Sequence, residues 1–427
     1  MPPDKISDFR QDAARAFRAA TRRADPALAM RDCLDSLPLP RAAHGHRTIV
    51  LAVGKAAPAM VRTVLPRIDG PRVSICVTHR ENSEKTPGAE IFRAGHPVPD
   101  SVGAAGAMRM QEVLRGTEPG DRVIALISGG GSALLPAPPS GVTLDDKQAL
   151  NRLLLASGLD IVAMNLIRQQ VSELKGGGMA RLAAPAPVTG YILSDVIGDD
   201  LRAIASGPTS EPIGTAEEAR HLLHDAGLFD RLPDSIQRHL RRATRTSIPG
   251  DTVNHLIGGN RESVLAATES LRRDYDAHAI ETPLTGDVGE AAVSIFRTLR
   301  DSPASDRPRA ILWGGETTVR VRGRGMGGRN QELALRLAAL ADAQPIAAPW
   351  AFLSGGTDGR DGPTDAAGAI VDQGTLSRIR ARGLPPERYL DNNDSNAALR
   401  LSDDLLITGA TGTNVADVQV LLIGQIS

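Results

Sequence analysis

Three glycine-rich segments that also carry serine, arginine or aspartate mark where this chain could do chemistry. They are Ser128-Gly129-Gly130-Gly131-Ser132, Gly325-Met326-Gly327-Gly328-Arg329-Asn330-Gln331-Glu332, and the run from Ser354 to Asp365 that includes Gly355, Gly356, Thr357, Asp358, Gly359, Asp361 and Gly362. Successive glycines let backbone N–H groups converge on a ligand. A helix start behind such a loop adds positive dipole. That combination suits a phosphate, and the neighbouring acids suit a hard cation such as Mg²⁺. The chemistry described by these residue types is the handling of phosphoryl groups.

Single residues sharpen the picture. The chain has 49 Lys and Arg together, and the only lysines are Lys5, Lys55, Lys85, Lys147 and Lys175. Lys55 follows Gly54 at the end of the apolar run Thr48–Val53, where a lysine can neutralise a carboxylate or a transferring phosphoryl group. Lys175 opens Gly176-Gly177-Gly178; it fits either an anion contact or a lysine at a helix C-terminus. Asp195 ends the apolar run Val188–Leu193 and could hold magnesium or accept a hydroxyl proton. Arg329 stands at an expected helix start, where its charge opposes the dipole; that placement argues for an anionic partner. Asp358, Asp361 and Asp365 are spaced either for oxygen ligation of Mg²⁺ or for simple Asx-turns. Gly258-Gly259-Asn260, Gly286 before Asp287, and Gly314-Gly315-Glu316 close further strands. Gly323–Gly328 matches G-x-G-x-x-G in form, but the segment before it alternates apolar and charged residues, and Ser354 ends the next strand where a ribose-binding acid belongs. Nicotinamide binding is therefore weakly supported.

The elements that must carry these residues alternate between strand and helix. Apolar runs at 48–53, 73–77, 89–94, 123–127 and 188–193 are separated by helical patterns, as in a parallel sheet covered by helices on both faces. A polar, arginine-rich stretch at 231–251 is the expected boundary, giving domains at 1–245 and 250–427. The second, smaller α/β domain is expected to hold a mixed sheet, opening with a strand at 253–257 and including a half-exposed strand at Thr318–Arg322. An amphipathic helix is expected at 7–23.

Composition excludes several classes. Net charge is −1 and only 3% of residues are aromatic, which argues against nucleic-acid binding. No apolar run reaches the ~20 residues of a membrane span. Cys33 and Cys76 lack metal or disulfide spacing, and Cys76, inside an apolar run, is expected as a buried thiol. A cytoplasmic location and small-molecule partners are expected, with monomer or homodimer both open.

Taken together, Val53–Ala57, Gly95–Asp100, Ser128–Leu134, Ser194–Asp199 with Ser206–Thr209, Gly315–Val319, Gly327–Leu333, Ser354–Asp365 and Thr408–Val415 resemble the glycerate kinase type-2 family, whose second half is called MOFRL. The resemblance runs in order from about 47 to 423. It departs at Ala410, where the family usually has proline, and at Gln170, where histidine is expected. It implies a Rossmann-like first domain, a cleft between two domains, and a kinase that moves the γ-phosphoryl group of ATP to the 2-hydroxyl of D-glycerate. It also implies that Lys55 and Arg329 matter most. On that basis the glycerate carboxylate is expected on the Ser128–Ser132 amides. ATP is expected near Gly258, Gly259, Asn260, Gly286, Glu316, Gly356 and Thr357, with Mg²⁺ on one or more of Asp195, Asp358 and Asp365. Members of the family often carry the label hydroxypyruvate reductase, from their genetic neighbourhood in tartrate use; a NAD(P)H-dependent reductase is the alternative. A catalytically dead ligand sensor is a third reading, disfavoured by intact Lys55, Asp195 and Arg329.

Overall fold

The computed structural model describes residues 4–243, 247–303, 305–383 and 385–425. The chain forms two compact units, one from Pro26–Ile257 and one from Met1–Asp25 with Gly258–Ser427. The sequence reading placed the N-terminal helix with the first domain and the strand at 253–257 with the second; both belong elsewhere. The expected edge at 245 lies outside the described residues.

The first unit is built on a six-stranded sheet in the order β3-β2-β1-β4-β5-β6, with β1 Thr48–Val53, β2 Arg72–His79, β3 Glu90–Ala94, β4 Arg122–Ile127, β5 Val188–Leu193 and β6 Val253–Gly258. The β3-β2, β2-β1, β1-β4 and β4-β5 pairings are parallel. Every residue of β1 is buried, as a central strand covered on both faces requires. Strand order reverses between β1 and β4, so the ends of β1 and β4 flank a switch point, where open α/β sheets bind ligands. Helix Ser101–Arg115, which packs near β2 and β3, starts at Asp100, whose carboxylate accepts from the Gly103 N–H at 3.0 Å. Cys76 is buried in β2, and burial pushes its thiol up to about 12.

The second unit holds a mixed sheet ordered β12-β11-β10-β13-β9-β7, with β8 also on β9. Its strands are β7 Asp276–Ala279, β8 Leu284–Asp287, β9 Arg309–Thr318, β10 Trp350–Gly356, β11 Gly368–Asp372, β12 Leu405–Leu406 and β13 Asp417–Ile423. β7 and β8 run parallel to β9, whereas β13 runs antiparallel to both β9 and β10. The residues after Thr318 are not a strand; the alternation at 318–322 belongs to an exposed connection. Helix Asp4–Arg23 buries Ala13, Ala16, Phe17 and Ala20 in this unit's core beside Val264, Leu353 and Val420. Arg10 reaches Asp372 at 2.6 Å and Asp404 at 2.8 Å, and the Tyr275 hydroxyl donates to Asp12 at 2.6 Å. Among the described residues no helix is long and apolar enough to cross a membrane.

Candidate active site

In the first unit, functional side chains gather beyond the carboxyl ends of the parallel strands. Gly54 directly follows β1 with φ near 125°, and a Cβ there would lie 2.2 Å from Ser128 Oγ; only glycine lets the β1 and β4 loops close on each other. The Lys55 N–H donates to the Gly129 carbonyl at 2.9 Å, and the Ala56 N–H to Ser128 Oγ at 3.1 Å. Lys55 itself is exposed. Its side chain passes Gly130, where a Cβ would stand 3.2 Å from Lys55 Cγ and 3.3 Å from His96 Cδ2. Gly129 packs against Asp195, whose Oδ2 would be 2.1 Å from a Cβ on that glycine.

Electrostatics joins the same residues. Burial raises the Asp195 carboxyl, and the positive charge of Lys55 and a hydrogen bond from the Gly130 N–H pull it partly back. Burial lowers His79 and His96, with repulsion from Lys55 adding to both. Lys55, Asp195, His79, His96 and the Gly129–Gly130 turn thus form one cluster. His79 escaped the sequence reading, because nothing about a histidine at a strand end identifies it; His96 entered only within a family segment.

The expected amide cradle at Ser128–Ser132 is only partly available. The Ser128 N–H donates to Val53 at 2.9 Å, and Ser128 is buried. The Gly130 N–H is engaged by Asp195. Ser132 Oγ is 2.7 Å from Ser206 Oγ, and Lys175, buried, donates to the Ser132 carbonyl. Gln170 is a buried fold contact: its Nε2 donates to the Gly214 carbonyl at 2.7 Å.

The second unit gathers a separate cluster at one sheet edge. Because β13 is antiparallel to its neighbours, its first residue, Asp417, pairs in register with Gly315 in the last part of β9 and Gly356 at the end of β10. Helix Arg329–Ala343 begins at the same edge. Arg329 grips Asp417 with two hydrogen bonds of 2.6 and 2.9 Å and lies 3.2 Å from Glu316. Burial opposes the guanidinium charge, but Asp417 and Glu316 outweigh it and hold the charge in place. The anionic partner expected from the position of Arg329 is therefore supplied by the protein. The helix start is likewise filled from within: the N–H groups of Asn330 and Gln331 donate to the buried Asp361 carboxylate at 3.1 and 2.8 Å.

Other expected ligand contacts are fold contacts. Asn260 donates to the carbonyls of Val415 and Asp417 at 2.7 and 2.9 Å, so it fixes the start of β13. Gly259 is the extended residue just before helix Asn260–Leu271, and Gly258 ends β6. Thr357 is buried and donates to the Ala416 carbonyl at 2.7 Å, while the Gly356 N–H donates to Ala367 at 2.8 Å. Gly286 and Glu316 remain exposed, as ligand contacts must. Asp358 accepts from the Arg360 N–H at 3.0 Å, an Asx-turn, and Asp365 pairs on the surface with Arg400 at 2.9 Å. Among the described residues no group of three or more His, Cys, Asp and Glu could hold a metal ion, so the Asp358 loop is not a built magnesium cage. Asp195 and Asp358 also belong to different units.

The Gly323–Gly328 loop has a packing explanation. Cβ atoms at Gly323, Gly325 and Gly327 would meet Asn392, Asp394 and Ser395 at 2.2–2.4 Å. The N–H groups of Arg322, Gly323, Arg324 and Met326 donate to the side chains of Asn393, Asn392 and Asp394. Donors that would cradle a pyrophosphate are already engaged.

A doubly wound unit with a lysine at its switch point, joined to a mixed-sheet unit with an arginine-gripped acid, defines a two-domain α/β enzyme. The family model "Domain of unknown function (DUF4147)" matches residues 12–241, and the MOFRL family model matches 309–417. A D-glycerate 2-kinase from Thermotoga maritima is 40% identical over 88% of this chain and 91% of its own. A glycerate 2-kinase from Pyrococcus horikoshii is 34% identical over 88% and 87%. A protein from Agrobacterium vitis, provisionally named hydroxypyruvate reductase, is 38% identical over 97% and 94%. The crystal structure of a glycerate kinase from Thermotoga maritima matches with a TM-score of 0.89 at 37% identity, covering 98% of this chain and 100% of that one. The chain belongs to the glycerate kinase type-2 family. It is an enzyme, a kinase of that family.

Proposed function

We propose that the enzyme transfers the γ-phosphoryl group of ATP to the 2-hydroxyl of D-glycerate, giving 2-phosphoglycerate and ADP. The observation that carries this reading is the Lys55–Asp195–Gly130 cluster at the switch point of the first sheet. Asp195, half-buried with its carboxyl raised by burial, is suited to accept the proton of the attacking hydroxyl. Lys55, exposed beside it, is placed to neutralise charge on the equatorial phosphoryl oxygens. Arg329, Glu316 and the Asp358 turn serve the nucleotide side. A carboxylate such as Asp195 or Asp358 would hold a magnesium ion, which when bound would screen the phosphate charge.

The reductase reading has the name of the Agrobacterium vitis relative in its favour. Against it stands the Gly323–Gly328 loop, whose amides are held by Asn392, Asn393 and Asp394. One assay on the purified chain separates the two. D-glycerate with Mg-ATP is expected to form ADP, with the 2-phosphate identified by ³¹P NMR, and hydroxypyruvate is expected to leave NADH and NADPH unoxidised. Hydroxypyruvate-dependent NAD(P)H loss without ADP formation would overturn the proposal.

A further inference from the structure

Next to the Lys55 cluster, wholly within the first unit, lies a cavity of about 210 Å³ whose lining includes Pro97, Ser132, Lys147, Asn151, Arg168 and Lys175. Three cations line it and no carboxylate does. Lys147 is held by the fold, its ammonium donating to the carbonyls of Pro136 and, at 2.7 Å, Val171. Lys175 is buried, which together with the like charge of Arg168 pushes it down to about 7. Arg168, on helix Ile161–Gln170, is anchored by a 2.6 Å hydrogen bond to Asn151 Oδ1, a neutral acceptor. Arg168, half-buried at a cavity wall that carries no carboxylate, keeps a charge that burial disfavours, and an anionic ligand there would offset that cost.

The cavity also shares its walls with the reacting cluster. Ser132 lines it, and Gly130, two residues earlier, packs against Lys55 and His96. Pro97 lines it and directly follows His96. Drug-sized ligands fill roughly 300–1,000 Å³, so this space is too small for a nucleoside triphosphate and suits a three-carbon acid. The amides first expected to hold such an acid are in part taken up by Val53 and Asp195.

We propose that this cavity is the carboxylate subsite of the acceptor acid, and that Arg168, anchored by Asn151 and backed by Lys175, selects acids over neutral alcohols. A guanidinium offers two parallel N–H donors that match a carboxylate. This assignment rests on the glycerate kinase reading above.

The test is steady-state kinetics of the full chain and its Arg168→Ala and Arg168→Lys variants, with D-glycerate and its neutral amide as acceptors. Arg168→Ala is expected to raise KM for D-glycerate about 10- to 100-fold, the scale of a lost charge-assisted hydrogen bond. KM for ATP should stay the same, the preference for acid over amide should vanish, and Arg168→Lys should recover part of the loss. An unchanged glycerate KM and acid preference, or an equal rise in both KM values, would sink the assignment. Should Arg168→Ala fail to fold, Asn151→Ala decides: a several-fold rise in glycerate KM supports the subsite, and an unchanged KM overturns it. Calorimetric titration with D-glycerate keeps the two readings apart. Binding to the wild type that Arg168→Ala abolishes supports the subsite even without turnover, whereas no binding overturns it.

Discussion

Lys55 and Arg329, matched by one family pattern, face different constraints, and substitution should separate them. Lys55 is exposed, so Lys55→Ala should leave the melting temperature nearly unchanged. If it neutralises the transferring group, turnover should fall about 10³-fold or more; near wild-type turnover in an assay of ADP release would refute that role. Arg329 holds Asp417, whose side chain is 0% exposed. Removing the arginine strands a buried charge, so Arg329→Ala should cost about 3–5 kcal/mol of stability as well as activity. Arg329→Lys keeps the charge but not the two-pronged grip, so it should retain more stability while losing most activity; denaturant melts alongside kinetics check both. The cluster histidines set a pH dependence. Their folded pKa values are lowered, so as pH falls below the unfolded value of about 6.5 the unfolded chain takes up protons the folded chain resists, and stability falls. A His79→Asn, His96→Asn double variant should lose less stability between pH 7.5 and 5.5 than the wild type. The positions of Lys55 and Asp195 just beyond strand ends were legible, because each lies shortly after an apolar run. Asp417 was not, because it lies 88 residues from Arg329 and looks like an ordinary strand residue.

Glycine-rich loops carry the strongest sequence signal in this chain, yet they do two different jobs. At 129–130 the missing side chains bring Asp195 and Lys55 onto one turn. Gly129→Ala would place its methyl group 2.1 Å from Asp195 Oδ2, and the loop must shift to relieve it. Its kcat should drop at least tenfold with unchanged β-sheet circular dichroism; wild-type kcat would show that the close approach is dispensable. At 323–327 the same residue type merely lets one loop pack on residues 392–395. Composition alone cannot distinguish a cradle from a packing seam, since both need backbone without Cβ, and only the partner across the contact decides. Strand positions were legible at β1 and β13, where both faces are buried, but β11, equally buried, went unread because Gly368–Asp372 is short and follows a glycine-rich loop. The reading failed at 318–322, where alternation came from a solvated connection rather than from a pleat; at β6, an edge strand of mixed burial, it found the strand but gave it to the other unit.

At the scale of the whole chain, sequence order and unit membership disagree, and that is why the domain limits were misread. A boundary can be heard in a polar stretch, but nothing local in residues 4–23 says which apolar surface will take up Phe17. Both tryptophans, Trp313 and Trp350, lie in the second unit, so their fluorescence reports that unit's unfolding. Phe17 is 1% exposed, and Phe17→Ala should weaken the unit by about 3–5 kcal/mol, seen as a lower urea midpoint of the fluorescence transition. An unchanged midpoint would mean that the helix adds nothing to this core. The discontinuity also sets a schedule for biosynthesis. Helix Asp4–Arg23 leaves the ribosome well before β13, Asp417–Ile423, which it needs to complete its core. At ~5–20 residues per second that delay is roughly 20–80 s. Throughout it, the apolar stripe around Phe17 stays uncovered by its native partners while the intervening unit can fold, which makes this nascent helix a natural client for a chaperone at the exit tunnel.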